Sequence, residues 1–265
     1  MLRNQHISMK IWSIVYPLGL YYGTVVILMF ICRSFLGTSP EKYMICQILS
    51  GLGAVPVVLS FYLADKKMGC QTQIRQYAIP WSDRGEIAKA AVLSVLLALL
   101  FAISLNNLLV MSPLIEASEA FSQANEHFFG STIVWEILGS AIMTPIIEEL
   151  IYRGVLFSRM MEMMGRWQAV LLSSLIFAIM HFNIVQFIYA FCVGIVLALL
   201  MEHTGHLAAA ILAHMAANLF AVLRTEYGFL AQTADGSIGA WGVSIFLLLV
   251  GIAMGYEFFR KKPSE

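Results

Sequence analysis

The sequence predicts an all-α, polytopic membrane protein of about eight transmembrane helices with a polar site buried between them. Apolar residues make up 60% of the 265 residues, whereas Asp, Glu, Lys and Arg together make up only 12%. Typical soluble domains are about 45–50% apolar and about 25% charged. Because the formal net charge is zero, the chain has no bulk attraction to polyanions, and no nucleic-acid partner is expected.

The predicted crossings follow from the lengths of the apolar stretches, since a helix needs about 20 mostly apolar residues to cross a bilayer core. Residues 11–32, 43–64 and 90–115 give the first three. A fourth begins near Thr132 and contains ionisable residues. Residues 167–201 lack any formal charge but are too long for one crossing, and the step at His181 is expected to divide them into two. Residues 206–223 and 236–256 complete eight.

The loop charges predict the orientation. With the N-terminus in the cytoplasm, 13 Lys and Arg residues, Arg153 included, fall on the inside and three fall on the outside. The positive-inside rule expects such a bias for eight crossings with both termini cytoplasmic. The chain shows no internal repeat or long linker, so residues 1–265 are predicted to form a single membrane-embedded domain. Its short loops favour a bacterial plasma membrane.

Three polar motifs interrupt the apolar stretches: Glu148-Glu149 with Arg153, Phe177 with His181, and His214 with Asn218. Ionisable groups at membrane depth are costly and usually line a bundle interior or a wet cavity, so they indicate function. The second glutamate and the arginine are four residues apart on one helix face and can pair. This pair is as compatible with a structural salt bridge as with a direct part in catalysis.

Helix geometry predicts which motifs meet. If a hairpin turns at Gly165, Glu148 lies 17 residues before the turn and His181 lies 16 after it. At about 1.5 Å rise per residue, the two side chains reach similar depth. His214 lies nine residues past Gly205 and reaches that depth only if its helix starts deeper. The spacing predicts convergence for the first pair and leaves the third motif conditional.

The residue types suit hydrolysis by an activated water. A carboxylate at Glu148 and an imidazole at His181 can together hold and deprotonate a water molecule. The ring N–H of His214 and the amide of Asn218 can stabilise the oxyanion that forms when this water attacks a carbonyl. Neither G-x-S-x-G nor H-E-x-x-H is present, so a serine nucleophile or a zincin motif has no specific support.

With these motifs in order on separate predicted crossings, residues 135–223 resemble the CPBP intramembrane proteases, the family of CAAX prenyl endopeptidases and bacteriocin-processing (Abi) enzymes. The resemblance implies an eight-helix bundle with a buried active site. It assigns catalysis to Glu148, His181, His214 and Asn218, and the orienting of the site or the holding of the substrate's peptide end to Glu149 and Arg153. Either no cofactor or a divalent metal such as zinc fits this pattern, with Glu148, His181 and His214 as the candidate metal ligands.

The resulting functional hypothesis is a CAAX-protease-like intramembrane endopeptidase. Its expected partners are membrane lipids and a peptide or protein substrate at the membrane, with the lipidation of that substrate left open. Two alternatives remain at this point: an ion-coupled transporter that uses the glutamates and histidines as a relay, and a non-catalytic Abi-type immunity or scaffold protein. Glu136 is expected near the outer interface, solvated and without a catalytic role.

Overall fold

The computed structural model describes residues 6–79 and 83–260, and within them every regular element is a helix. The predicted all-α class is therefore confirmed. Arg3, Lys261 and Lys262, which entered the charge count, lie outside the described residues.

Twelve α-helices are described, together with two π-helical segments and one short 3-10 segment. They are α1 Ile7–Leu36, α2 Pro40–Lys67, α3 Thr72–Tyr77, α4 Arg84–Val110, α5 Glu119–Phe128, α6 Ile133–Glu136, the π segment Ile137–Met143, α7 Thr144–Glu149, the π segment Leu150–Phe157, α8 Ser158–Met163, α9 Arg166–Ile179, α10 Ile184–Thr204, α11 Leu207–Tyr227, the 3-10 segment Ala231–Ala234 and α12 Ile238–Arg260. Residues 133–163 run without a break and are called the α6–α8 helix.

Six of the described helices are long and apolar enough to cross a membrane: α1, α2, α4, α10, α11 and α12. The predicted count of about eight is not confirmed. The other two predicted crossings are the α6–α8 helix, which carries the first polar motif, and α9, which has only 14 residues. The step after α9 does separate it from α10, because the Asn183 side chain accepts a 2.8 Å hydrogen bond from the Gln186 N–H and caps the new helix.

The helices alternate in direction, so the bundle has two distinct ends. The α5 end holds α5, the C-termini of α4, α9 and α11, and the N-terminus of α12; there the Asn107 amide at the end of α4 donates to the Thr233 carbonyl over 3.1 Å. The termini end holds the start of α1 and the ends of α2, α8, α10 and α12. At that end Arg159 of α8 pairs with Asp65 of α2, and Arg166 pairs with Glu202 of α10.

The last residues of α10 are buried at the termini end. Glu202, His203 and Thr204 are all buried, and the Ile79 N–H donates to the His203 carbonyl over 3.0 Å. Gly205 adopts a left-handed conformation with φ of 70°, as a helix C-terminus requires, and releases the chain into α11. His206 and Ala208 at the start of α11 are exposed, so the deeper start that helix geometry required for His214 is not confirmed.

The α6–α8 helix departs from regular α geometry on both sides of α7. The two π segments flank the six residues that carry Glu148 and Glu149, and π segments inside helices frequently occur at functional sites. Glu136 corrects the expectation made for it: its side chain is fully buried rather than solvated, and it accepts a 3.1 Å hydrogen bond from the Ser131 N–H. It therefore anchors the start of this helix.

Candidate active site

A buried network joins the first and third motifs. Oε1 of Glu149 accepts hydrogen bonds from Nη1 of Arg153 at 2.9 Å and from Nδ1 of His214 at 2.8 Å. The glutamate and the arginine are both fully buried, and the exposed fraction of the histidine is only 5%. Because a carboxylate only accepts hydrogen bonds, the imidazole must carry its hydrogen on Nδ1. The network therefore fixes both the tautomer of His214 and the direction of its ring.

The Arg153 guanidinium is held on its other sides by α9 and α10. Nη2 donates to the Gly194 carbonyl over 3.1 Å, and the guanidinium carbon lies 4.5 Å from the centre of the Phe177 ring. A Cβ atom added at Gly194 would lie 3.3 Å from Nη2 and 3.2 Å from Cβ of Ser174. The glycine thus allows α10 to approach the arginine closely enough to accept its hydrogen bond.

Replacing Gly194 by alanine should lower the free energy of unfolding by about 1–3 kcal/mol, because the added methyl group overpacks a fully enclosed site. Unfolding of the purified protein in mixed detergent micelles, followed by circular dichroism, measures this loss. Gly23→Ala is the matched control, because a Cβ added there meets no atom within 4 Å. An unchanged stability for Gly194→Ala would show that α10 can shift away from Arg153 and Ser174 without loss of packing.

Glu148 faces the other nitrogen of the same histidine. Its Oε2 lies 3.9 Å from Nε2 of His214, beyond direct hydrogen-bond distance, and the exposed fraction of its side chain is 19%. Glu148 and Glu149 therefore lie on either side of one imidazole but in different surroundings. The first carboxylate faces a cavity, and the second is enclosed in the network.

His181 lies on the same cavity, just past the end of α9. Its Nδ1 lies 3.0 Å from the Phe177 carbonyl, which can only accept, so the hydrogen is on Nδ1 and Nε2 carries a lone pair. The Phe177 ring packs edge-on against His181 and His214, with centroid distances of 4.9 and 5.8 Å. One buried aromatic ring thus positions both histidines.

The Asn218 amide is anchored by a π segment. Its Nδ2 donates to the Ser140 carbonyl over 2.8 Å. That carbonyl lacks its helical donor for a local reason. In this π segment the Thr144 N–H donates to the carbonyl of Gly139, five residues earlier. The donor for the Ser140 carbonyl would be residue 145, which is a proline and has no N–H. An amide nitrogen carries two hydrogens, so the anchored Asn218 retains one N–H for another acceptor.

Two tyrosines at the site were missed from the sequence. The hydroxyl groups of Tyr22 in α1 and Tyr152 are hydrogen-bonded to one another, and both residues line the cavity that Glu148 faces. Tyr152 shares a helix stripe with Glu148, so its position follows from helical spacing. Tyr22 gives no such signal, because its motif-free helix meets the site only through tertiary packing.

Two cavities meet at Glu148. The first, called the chamber, measures about 780 Å³, and among its lining residues are Glu148, His181, His214 and Asn218. The second, called the groove, measures about 720 Å³ and runs between α1, α2 and the α6–α8 helix. Tyr22 and Thr144 line both cavities. The structure thus brings all four predicted catalytic residues to one chamber, with Glu149 and Arg153 buried behind His214.

The metal hypothesis gains no support from the donor set. Among the side chains that the structure describes, which leave out that of His127, no group of three His, Cys, Asp or Glu residues is arranged to hold a metal ion. Of the three candidate ligands, Glu148 and His214 approach one another, but His181 does not join them in a ligand group. These residues do not fit a zinc site, and no step below depends on one.

Comparison with known proteins supports the resemblance drawn from the motifs. The family model described as type II CAAX prenyl endopeptidase Rce1-like matches residues 130–220, which include all three motifs. Over 87 residues the chain is 33% identical to a Bacillus subtilis (strain 168) protein named "Putative membrane peptidase YdiL". That match covers 33% of this chain and 36% of the relative, so the chain spans only about a third of the length of the relative that it matches. No solved structure matches significantly.

Proposed function

We propose that this chain, whose residues 130–220 carry an Rce1-like segment of the CPBP protease type, is an intramembrane endopeptidase that hydrolyses a peptide bond with a Glu148-activated water. One observation carries the proposal: Glu148 of α7, His181 just past α9, and His214 and Asn218 of α11 line a single chamber. A carboxylate beside two imidazoles and an amide at membrane depth provides a base and oxyanion donors in one enclosed place.

Glu148 and His181 activate the water in this mechanism. The lone pair on Nε2 of His181 accepts a hydrogen bond from the water, because Nδ1 is turned to the Phe177 carbonyl. Glu148 takes the proton as the water oxygen attacks the substrate's carbonyl carbon. The tautomer and the direction of the His181 ring are preset, so the water is oriented before the substrate arrives.

His214 and Asn218 stabilise the oxyanion in this mechanism. Because Nδ1 of His214 is committed to Glu149, its Nε2 can donate to an oxyanion only when the ring is an imidazolium. Glu148 lies near Nε2 of this ring and Glu149 accepts from Nδ1, so two carboxylates are placed to stabilise a positive charge on the imidazole. The second N–H of Asn218, which is not used by Ser140, provides the other donor.

Collapse of the tetrahedral intermediate completes the reaction. The C–N bond breaks, and the proton held by Glu148 passes to the leaving nitrogen. The new carboxyl group then gives the remaining proton of the water to the amine, so that one product ends in a carboxylate and the other in an ammonium group. Glu149 and Arg153 touch neither the water nor the peptide bond in this scheme. They act as positioning residues, because their hydrogen bonds hold the His214 ring in register.

Replacing Asn218 by alanine should lower kcat by about 100- to 1000-fold and leave KM nearly unchanged, because an oxyanion donor acts mainly in the transition state. Steady-state cleavage of an identified substrate by the purified protein measures both constants. Asn106→Ala is the matched control, since Asn106 is an asparagine that also lines the chamber but has no part in the proposed mechanism. Equal effects of the two substitutions would remove Asn218 from the oxyanion site.

The function itself is tested by mapping peptide termini. Membranes from cells that express the wild-type chain should contain new peptide N-termini that are missing when Glu148→Gln is expressed at the same level. Identical termini, together with ion-coupled uptake in proteoliposomes, would favour the transporter. Identical termini with full cellular activity of Glu148→Gln would favour an immunity or scaffold protein.

The setting of this activity is part of the proposal. We place both termini in the cytoplasm and the enzyme in a bacterial plasma membrane, acting as a single domain over residues 1–265. The partners are membrane lipids and a peptide or protein substrate, lipidated or not. Purified protein that retains its activity after exhaustive chelation would agree with the metal-free scheme, whereas restoration of lost activity by zinc would contradict it.

A further inference from the structure

The chamber extends from the proposed catalytic residues toward one end of the bundle only. Beyond His181 its walls come from Val110 at the end of α4, from Asn125 of α5, from Thr225 near the end of α11 and from Ala234. All these residues belong to the α5 end, whereas the termini end contributes none of the described lining residues. The chamber therefore opens at the α5 end.

The termini end is held together by two ion pairs whose carboxylates are buried. Arg159 makes two hydrogen bonds to the Asp65 carboxylate, at 2.7 and 2.9 Å, and donates from Nη1 to the Ser13 carbonyl. Arg166 binds both carboxylate oxygens of Glu202 at 2.6 Å. Both acidic side chains are fully or almost fully buried. These contacts tie α1, α2, α8, α9 and α10 together at the termini end.

The groove opens in the same half of the bundle as the chamber. It starts at Glu148 and ends beside Arg33 and Tyr43, where α1 ends and α2 begins, and the guanidinium carbon of Arg33 lies 5.6 Å from the centre of the Tyr43 ring. A segment that enters sideways from the lipid thus reaches Glu148 from the α5 half, as a segment that enters through the chamber does.

The charges identify which membrane side the α5 end faces. Among the described residues, Arg153 is buried in the network, and nine of the other Lys and Arg residues lie at the termini end and three at the α5 end. The loop before α5 and α5 itself contain Glu116, Glu119 and Glu126 but no Lys or Arg. The positive-inside rule places an end with so few basic residues outside the cytoplasm.

We infer that the chamber opens on the extracytoplasmic side of the membrane, so that the substrates are peptide segments presented at the outer leaflet after export. That these segments are substrates rests on the proposed function, whereas the side on which the chamber opens does not depend on catalysis. It restricts the substrate class to exported peptides and to membrane proteins with a segment at the outer face.

Cysteine labelling in intact cells tests the inference. Asn125→Cys places a thiol in the chamber wall, Glu119→Cys places one on the outer surface of α5, and Lys67→Cys places one at the termini end. A membrane-impermeant maleimide should label the first two in intact cells, above the level of the wild-type chain with its four native cysteines. It should label Lys67→Cys only after the membrane is permeabilised.

Each contrary pattern overturns the inference. Labelling of Lys67→Cys in intact cells, with Asn125→Cys labelled only after permeabilisation, reverses the side. Labelling of Glu119→Cys but never of Asn125→Cys shows a closed chamber. Labelling does not require cleavage. If the protein shows the expected labelling pattern but has no peptidase activity, the proposed function is wrong while the inferred side of the opening still holds.

Discussion

Replacing Glu148 by glutamine should lower kcat/KM for an identified substrate by about 100- to 10,000-fold, the usual contribution of a general base. Glutamine keeps the size and shape of the side chain but cannot take a proton from water. Since the Glu148 side chain faces a cavity, the protein should keep its helix content and its unfolding midpoint. Initial rates of the purified variant in lipid nanodiscs, together with circular dichroism, measure both quantities.

Glu136→Gln is the matched control for this prediction. Glu136 belongs to the same α6–α8 helix, but it is fully buried, accepts a hydrogen bond from the Ser131 N–H at the α5 end and does not line the chamber. Its replacement should leave kcat/KM within a few-fold of wild type. If Glu148→Gln cleaves at the wild-type rate, the water must be activated by another group, and the proposed mechanism fails even if the protein is a protease.

Much of the site was predictable because its residues obey helical periodicity. The four-residue spacing of Glu149 and Arg153 predicts their pairing, and they bind at 2.9 Å. The depth argument for Glu148 and His181 needs only a hairpin and a fixed rise per residue, and both residues line the chamber. Spacing along one helix and equal depth on two neighbouring helices are local properties that a sequence carries.

The remainder depends on tertiary packing or on irregular backbone. The meeting of His214 with Glu148 and Glu149 depends on how α11 packs against the α6–α8 helix, which no local pattern reveals. The anchoring of Asn218 depends on a π segment, for which Pro145 is a visible but ambiguous signal. The count of eight crossings is not confirmed at the α6–α8 helix, which carries polar residues, or at α9, which has only 14 residues.

Replacing Arg153 by methionine should lower the free energy of unfolding by about 3–5 kcal/mol, because it leaves the Glu149 carboxylate buried without its cation. The His214 ring alone then has to compensate that charge through one hydrogen bond. Denaturation in mixed micelles measures the loss. Arg260→Ala, which breaks the exposed pair with Glu257, is the control and should change stability by no more than about 0.5 kcal/mol.

A double variant distinguishes a structural role of this ion pair from a role in supporting His214 during catalysis. Glu149→Gln with Arg153→Met removes both buried charges together, so most of the lost stability should return. In the proposed mechanism kcat stays at least about tenfold below wild type, since a neutral amide beside Nδ1 no longer supports an imidazolium at His214. The alkaline limb of the kcat–pH profile should move as well, because the proposed mechanism needs the imidazolium form of His214, a change that a merely structural pair would not cause. A double variant with wild-type stability, kcat and pH profile would reduce Glu149 and Arg153 to a structural salt bridge.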